Sequence, residues 1–199
     1  LSFHAVKHIT SGEGGMILTN NKDIYEKLSM FRSHGVTREI DKLLKKDEGP
    51  WYYEMQFLGY NYRITDFQCA LGMEQLKKLG TFIERRREIV EKYNKAFAKI
   101  DGLVLPVEKD KVKSSWHLYV VQVKNERRKV FESLRKSGIG VNVHYIPVHL
   151  QPYYQNLGYK AGDCPNAETY YKGAITLPLY PKMTDEDVDR VIKVVKEVN

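Results

Sequence analysis

One lysine stands in a glycine-rich segment whose residue types could support amine chemistry. Lys7 lies between two short apolar runs, in the sequence SFHAVKHITSGEGG. A primary amine that is held still and partly shielded from water can condense with an aldehyde to form a Schiff base. A solvated lysine at the surface of a hairpin is the alternative interpretation, because most lysines face water.

The neighbours of Lys7 favour the chemical interpretation. Gly12, Gly14 and Gly15 are more glycines than a simple hairpin needs, and they allow another backbone or a ligand to approach closely. The hydroxyl of Ser2 could donate a hydrogen bond to a phosphate, or it could only cap a backbone group. A reactive amine near a phosphate-binding hydroxyl suggests pyridoxal 5'-phosphate, whose aldehyde condenses with lysine.

The segment SFHAVKHITSGEGGMILTN is similar to the cofactor-lysine segment of the DegT-like sugar aminotransferases, a fold-type I pyridoxal phosphate family. The resemblance continues in order through FRSHGVTRE, GPWYYEMQFLGYNYRITDFQCALG, SSWHLYVVQV, VNVHYIPVHLQPYY, CPNAETYY and ITLPLYPKMTDEDV. It covers nearly the whole chain but only about the C-terminal half of a family member. It implies an α/β fold, with residues 1–79 as the C-terminal part of the cofactor-binding large domain and residues 80–199 as a small α/β domain.

The resemblance implies roles for the residues of the first segment. The lysine that matches Lys7 forms the Schiff base with the cofactor, and the serine that matches Ser2 contacts the cofactor phosphate. A related dehydratase branch has histidine in place of the lysine, so Lys7 favours transamination over dehydration. The acidic partner of the pyridine nitrogen precedes the lysine in this family, and no residue of the chain can be assigned to it.

Asn61 and Arg63 lie just before a predicted helix start and are the next candidates. The resemblance implies that Asn61 reaches across a homodimer to the phosphate bound by the neighbouring subunit. An amide and a guanidinium beside a helix start can bind an anion, so Arg63 is a candidate substrate ligand. Simple turn and cap chemistry is the alternative for both residues.

A third candidate segment closes a predicted strand and turns at a proline. It contains His144, Tyr145, Ile146 and Pro147. Histidine and tyrosine at a strand end line clefts about as often as they form buried structural pairs. The resemblance implies that this segment contacts the sugar substrate.

The activity implied by the resemblance is the transfer of an amino group, with glutamate as donor, to the 4-keto carbon of a UDP-linked deoxysugar. The GPWYYEMQ and GYNYRITD blocks most resemble the subgroup that acts on the way to pseudaminic acid. A non-catalytic fragment that dimerises or docks a partner is the alternative, motivated by the missing acidic residue and the aromatic-rich segment 51–62. The chain starts at Leu1 inside a strand pattern, so we expect an N-terminal part to precede it.

The composition argues against several other classes. A net charge of +7 is compatible with nucleic acid binding, but Glu84-Arg85-Arg86-Arg87-Glu88 mixes signs as on a solvated helix face, and no nucleic acid motif accompanies it. The positive charge also suits an anionic cofactor and a nucleotide sugar. Two distant cysteines, Cys69 and Cys164, and unclustered histidines predict buried free thiols and no metal site. We expect a cytoplasmic protein without a membrane span.

These candidates need elements to position them, and the first 79 residues predict two strands and two helices. Apolar runs predict strands at 1–6 and 16–19, on either side of the glycines. Asn20 or Asn21 can cap a helix that ends near Gly35. Thr65 and Gln68 form a capping box that predicts a second helix through Leu79.

The remaining residues predict alternating helices and strands. Thr81 and Glu84 predict the start of a long helix through about residue 100. The other predictions are strands at 116–123, 139–145 and 175–177, and helices at 126–137, 166–172 and from Thr184 to the end. This pattern is typical of a small α/β domain.

Overall fold

A computed structural model describes residues 1–124 and 126–198 and divides the chain into two compact units. The first unit runs over Leu1–Lys78 and the second over Leu79–Asn199. Within the described residues, no helix is both long enough and apolar enough to span a membrane. Both cysteines are free, as predicted, but both are exposed, so the prediction of buried thiols was wrong.

The first unit is built from two helices and a two-stranded sheet. Helix α1 (Lys22–Phe31) begins at Asn21, whose side chain accepts the Ile24 amide at 3.1 Å, so the predicted cap is confirmed at Asn21. Helix α2 (Asp66–Lys77) begins at Thr65 with the predicted capping box to Gln68. The strands are β1 (Val36–Thr37) and β2 (Glu54–Met55), which pair in antiparallel register, with a 3-10 helix at Ile40–Lys42 between them.

The two strands predicted beside the glycines do not form. The described residues of this region form one antiparallel bridge, between Ser2 and Gly15, which precedes the second predicted strand, and the chain between these two residues closes into tight turns. A two-residue contact of this kind is too short for a ladder, and an isolated hairpin has little stability in water. The apolar pattern that predicted the strands is instead exposed, as Ile17 (68%) and Leu18 (71%) show.

The first unit buries very little. Its described residues that are buried are Ser11, Gly35, Thr37 and Leu43. No residue of α1 or α2 is buried, although both helices carry large apolar side chains. The unit is therefore ordered mainly by caps, turns and other polar contacts.

The second unit contains a three-stranded antiparallel sheet in the order β3-β4-β5. The strands are β3 (Leu103–Val104), β4 (Tyr119–Val123) and β5 (Ala174–Leu177). Leu103 is opposite Val123, and Tyr119 is opposite Leu177. The central strand β4 alternates between buried and partly buried residues, as expected for a strand that faces a core on one side.

In the described residues of the second unit, five α-helices and a 3-10 helix at Val148–Leu150 accompany the sheet. The α-helices are α3 (Leu79–Phe97), α4 (Arg127–Lys136), α5 (Pro152–Asn156), α6 (Pro165–Gly173) and α7 (Asp185–Val198). Thr184 and Asp187 exchange backbone-to-side-chain hydrogen bonds at the start of α7, which confirms the predicted cap pair. Buried side chains from α3, α4, α7 and all three strands form one hydrophobic cluster.

Three predictions for the second unit were wrong in their boundaries or surroundings. Helix α3 begins at Leu79, directly after α2, so Thr81 lies inside its first turn and does not cap it. Residues 139–145 form only one bridge, between Asn142 and Thr176, because the chain then turns away from the sheet. Arg86 is 4% exposed instead of lying on a solvated face. Its guanidinium donates to the carbonyls of Trp116, His117 and Leu179, which ties α3 to the ends of two strand segments.

Candidate active site

The turn that carries Lys7 is organised around the backbone of Phe3. The Phe3 amide donates to the Gly14 carbonyl at 2.8 Å, and the Phe3 carbonyl accepts the Ser11 amide at 2.9 Å. The Thr10 hydroxyl donates to the same carbonyl at 3.0 Å. These bonds close the chain between residues 3 and 14 into a compact loop, with Lys7 near its middle.

Ser2 and Lys7 are linked through one residue of this turn. The His4 amide donates to the Ser2 Oγ at 3.5 Å, and the His4 carbonyl accepts the Lys7 amide at 3.0 Å. Lys7 is half-buried, whereas Ser2 is exposed. The turn therefore presents a primary amine and a hydroxyl from one locally fixed stretch of backbone.

Gly14 is required by the close packing inside the turn. A Cβ atom added there would clash with the Ser11 Oγ and would come within 3.1 Å of the Ile64 side chain. Ser11 is buried, and its hydroxyl donates to the Glu13 carbonyl at 2.8 Å. We expected the glycines to allow another backbone or a ligand to approach closely. At Gly14, the groups that approach are side chains of the protein itself, Ser11 and Ile64.

Helix α2 is tied to the lysine turn by Gln68. Its side-chain amide donates to the Glu13 carbonyl at 3.0 Å, while its Oε1 accepts the Thr65 amide at 3.0 Å. One side chain therefore completes the helix cap and holds the turn. The sequence pattern revealed the cap but carried no signal for the second bond.

Asn61 and Arg63 lie on the strand-like stretch that leads into α2. Asn61 forms an antiparallel bridge with Ser33, and the Tyr62 amide donates to the Arg32 carbonyl at 2.9 Å. The side chains of Asn61 and Arg63 are exposed. The backbone of this stretch is thus fixed against the end of α1, and both polar side chains are accessible to a ligand.

A cavity of about 820 Å³ opens in the first unit, and one of the predicted site residues of this unit lines it. Arg63 lines it together with Tyr25, Phe31 and Tyr62, whereas Ser2, Lys7 and Asn61 are not among its lining residues. The structure of this unit places Ser2 and Lys7 on the backbone of one turn, and other residues of that segment, Gly14 and Gly15, line the cavity together with Arg63.

The third predicted segment forms a short arch in the second unit. We define the arch as residues 142–149. Its first end is bound to β5, because the Thr176 amide donates to the Asn142 carbonyl at 2.7 Å and the Asn142 amide donates to the Thr176 carbonyl at 3.3 Å. The Nδ1 atom of His144 then lies 2.7 Å from the Thr176 Oγ1.

The second end of the arch is held by a contact between a histidine and a carboxylate. The Nε2 atom of His149 lies 2.9 Å from a carboxylate oxygen of Glu168, and the same oxygen accepts the Gly162 amide at 2.7 Å. The His149 side chain and the backbone bond from Gly162 hold the pKa of the Glu168 carboxyl below its ordinary value. The arch is consequently anchored on both sides to elements remote in sequence.

Between these anchors the arch exposes apolar and aromatic side chains. Pro147 is buried, whereas Tyr145, Ile146 and Val148 are exposed. The imidazole of His144 meets the Tyr145 ring edge-on, with ring centroids 4.4 Å apart, and burial lowers the pKa of His144. The arch can therefore present a neutral imidazole and a phenol to a ligand on a fixed backbone.

Comparisons with known proteins give the chain a family. The model of the DegT/DnrJ/EryC1/StrS aminotransferase family matches residues 1–196. A protein of Campylobacter jejuni named UDP-4-amino-4,6-dideoxy-N-acetyl-beta-L-altrosamine transaminase is 40% identical over 94% of this chain and 48% of its own length.

Two solved structures are similar over almost the full chain. Helicobacter pylori PseC, described as an aminotransferase involved in the biosynthesis of pseudoaminic acid, has a TM-score of 0.86 and 35% identity, covering 98% of this chain and 51% of its own. The PLP-form of Spr1654 from Streptococcus pneumoniae has a TM-score of 0.84 and 31% identity, covering 100% and 51%. The chain thus spans about half the length of the relatives that it matches.

Proposed function

Because the chain belongs to the DegT/DnrJ/EryC1/StrS aminotransferase family, we propose that it forms part of a pyridoxal-phosphate-dependent sugar aminotransferase. The observation that carries this proposal is that the family match includes the turn in which Ser2 and Lys7 are fixed together. In this proposal, residues 1–79 are the C-terminal part of the cofactor-binding large domain and residues 80–199 are the small domain.

The donor set of the turn fits pyridoxal 5'-phosphate. A primary amine suits its aldehyde and a hydroxyl suits its phosphate, and both come from the same fixed backbone. When bound, the cofactor supplies an electron sink for chemistry at the carbon that carries the amino group. Lys7 would hold the cofactor covalently and, once displaced by the amino donor, would carry a proton between two carbon atoms. Gln68 would keep the turn in place by its bond to the Glu13 carbonyl.

We assign Asn61 to the cofactor phosphate of a neighbouring subunit in a homodimer. Its exposed side chain on a backbone that is fixed to Ser33 supports this role, because a ligand from outside the chain could reach the amide. Arg63, also exposed, would contribute a guanidinium to an anionic substrate. Under this assignment each active site is shared by two copies of the enzyme.

We assign the substrate as a UDP-linked 4-keto deoxysugar with glutamate as the amino donor. The names of the Campylobacter jejuni relative and of PseC support a nucleotide sugar on the way to pseudaminic acid. In the second unit, the arch would supply His144, Tyr145, Ile146 and Pro147 to the sugar. We place this chemistry in the cytoplasm, where nucleotide sugars and glutamate would be the partners, without nucleic acid or membrane.

A second function is favoured by one observation. The first unit exposes large apolar side chains on both of its helices, among them Phe67 at 91%. A surface of this kind is typical of an interaction site. In this alternative, the 199-residue chain is not catalytic and serves as a dimerisation or docking module. Measured turnover of a 4-keto nucleotide sugar with glutamate by this chain alone would exclude that alternative.

Reductive labelling of the chain tests the assignment of Lys7. The chain is incubated with less than one equivalent of pyridoxal 5'-phosphate, reduced with borohydride and digested, and the labelled peptide is identified by mass spectrometry. We expect the label on Lys7, because this residue is half-buried and the backbone of its turn also carries the Ser2 hydroxyl, which could donate to the phosphate.

Two variants control this experiment. Lys7→Arg keeps the positive charge but removes the primary amine, so the labelled peptide should be lost. Lys22→Arg changes a lysine whose side chain is 86% exposed, so the label on Lys7 should remain. Equal labelling of wild type and Lys7→Arg at other lysines would overturn the assignment.

A further inference from the structure

Thr176 contacts the arch through three separate groups. Its backbone amide and carbonyl both bond to Asn142, and its hydroxyl lies 2.7 Å from the Nδ1 atom of His144. Thr176 is buried in β5, with 6% of its surface exposed. Strand β5 is itself paired with the central strand of the sheet, where Thr176 is opposite Val120. The imidazole is therefore held by a buried residue of the sheet.

The hydrogen bond between Thr176 and His144 has a direction that can be inferred. Within the described part of the chain, the Thr176 hydroxyl has the His144 ring as its one hydrogen-bond partner. A buried hydroxyl with one hydrogen-bond partner donates its proton to that partner, because the proton would otherwise remain without an acceptor. The unprotonated nitrogen of a neutral imidazole can accept such a bond. The Nδ1 atom of His144 then accepts, and the proton of the neutral ring is carried by Nε2.

The Nε2 atom is the edge of the ring that remains available. No hydrogen bond joins it to another described residue, and the ring is half-buried beside the exposed Tyr145. A neutral imidazole protonated at Nε2 donates a hydrogen bond and cannot act there as a base. The group that it recognises must therefore offer a hydrogen-bond acceptor, and a nucleotide sugar carries many oxygen atoms of this kind.

We propose that Thr176 is a positioning residue that fixes His144 as a hydrogen-bond donor, through Nε2, to an oxygen atom of the bound nucleotide sugar. The ligand in this statement rests on the proposed function, whereas the positioning by Thr176 rests on the geometry of the second unit. His144 contacts the ligand, and Thr176 acts only through His144.

The tautomer of His144 is the first measurement. In the ¹⁵N-labelled 199-residue chain, long-range ¹H–¹⁵N spectra distinguish a ring protonated at Nε2 from one protonated at Nδ1. We expect the Nε2-protonated form in wild type and in Thr176→Ser, which keeps the hydroxyl. Thr176→Val keeps the shape and the backbone bonds to Asn142 but removes the hydroxyl, and we expect a mixture of tautomers. A ring protonated at Nδ1 in wild type, or an unchanged tautomer in Thr176→Val, would overturn the proposal.

The ligand is tested by adding uridine diphosphate and, separately, N-acetylglucosamine to the same samples. A shift of the His144 Nε2 proton with either probe is expected, and the probe that causes it tells whether the acceptor belongs to the diphosphate or to the sugar. Binding should be roughly fivefold weaker in Thr176→Val and restored in Thr176→Ser. If neither probe moves the resonance while the tautomer result holds, the nucleotide-sugar assignment of the arch fails and the positioning by Thr176 stands.

Discussion

The two units of the chain place their apolar side chains in opposite ways. In the second unit, Ile89, Tyr93 and Phe97 of α3 are 0–1% exposed and pack into one cluster with the sheet and α7. In the first unit, Leu44 and Phe67 are each 91% exposed, and the described residues of both helices include none that is buried. Helices α3, α4 and α7 of the second unit thus bury apolar side chains against a sheet, whereas the helices of the first unit leave most of theirs exposed.

This difference separates two sources of order. Burial of apolar surface dominates the stability of folded domains, so the second unit holds most of the free energy of unfolding. The first unit is arranged by polar contacts such as the Asn21 cap, the Gln68 bridge and the bonds to Glu54, which fix geometry and bury little. The second unit is therefore a scaffold, while the first unit holds the candidate lysine on a backbone with little core of its own.

The largest difference in the free energy of unfolding is expected between two variants that each remove one aromatic ring, one in each unit. Phe97→Ala should lower the free energy of unfolding by about 3–5 kcal/mol, because the cavity left in the packed cluster cannot fully collapse. Phe67→Ala should change it by about 0.5 kcal/mol or less, because that side chain already faces solvent. Urea unfolding followed by tryptophan fluorescence measures both.

The reporter for this experiment can be made specific to the second unit. The chain has two tryptophans, of which Trp116 is buried in the second unit and Trp51 is exposed in the first. In a Trp51→Phe background the fluorescence change follows Trp116 alone. If Phe67→Ala were as destabilising as Phe97→Ala in this background, the contrast between the two units would be wrong.

Sequence patterns predicted the elements that are specified locally. The cap residues Asn21, Thr65 and Thr184 each start a helix where the pattern indicated one, because a cap and the amides it satisfies lie within three residues. Strand β5 was predicted from a short apolar run and is buried along its whole length. In these cases local propensity and tertiary packing agree.

Contacts between remote residues could not be predicted in the same way. The apolar run at 139–145 has the composition of a strand, but Asn142 and His144 within it bond to Thr176, which lies more than 30 residues further along the sequence. Arg86 carries the charge of a surface residue and is nevertheless buried, because three backbone carbonyls converge on it. For the candidate site, the residues near Lys7 indicated amine chemistry, whereas the residue types at Asn61 and in the arch indicated only possible ligand contacts, and the specific roles expected for them came from the resemblance.

A smaller effect on stability is expected from protonating the Glu54 carboxylate, which accepts several hydrogen bonds in the first unit. Glu54 accepts the amides of Leu44 and Lys45 at 2.8–2.9 Å, together with the Tyr52 hydroxyl and the Gln56 side chain. The backbone bonds from Leu44 and Lys45 lower the pKa of Glu54. Since this pKa is lower in the folded chain than in the unfolded chain, the stabilisation is present above the ordinary glutamate value of about 4.3 and is lost as the pH falls through the folded value.

Amide hydrogen exchange measures this loss directly. After correction for intrinsic rates, the protection of the Leu44 and Lys45 amides should fall on acidification, and it should already be low at neutral pH in Glu54→Gln. The Gln56 amide, which donates to the Gly35 carbonyl at 2.8 Å, is the internal control, because its acceptor does not titrate. Equal protection of the Leu44 and Lys45 amides in wild type and Glu54→Gln at neutral pH would show that this carboxylate does not order the segment.

The smallest effect on the free energy of unfolding is expected from removing a threonine helix cap in each unit. Thr184→Ala should destabilise the second unit by about 1 kcal/mol, because α7 places Val188, Val191, Val194 and Val195 in the cluster and its fraying is coupled to the core. Thr65→Ala removes the same kind of bond from α2, where no buried side chain transmits the loss, so the unfolding midpoint reported by Trp116 should not move. The loss should appear instead as faster exchange of the Gln68 amide, the group that Thr65 caps. Equal shifts of the Trp116 midpoint in the two variants would mean that α2 and the core unfold together, and the exposed faces of the first unit would then need a different explanation.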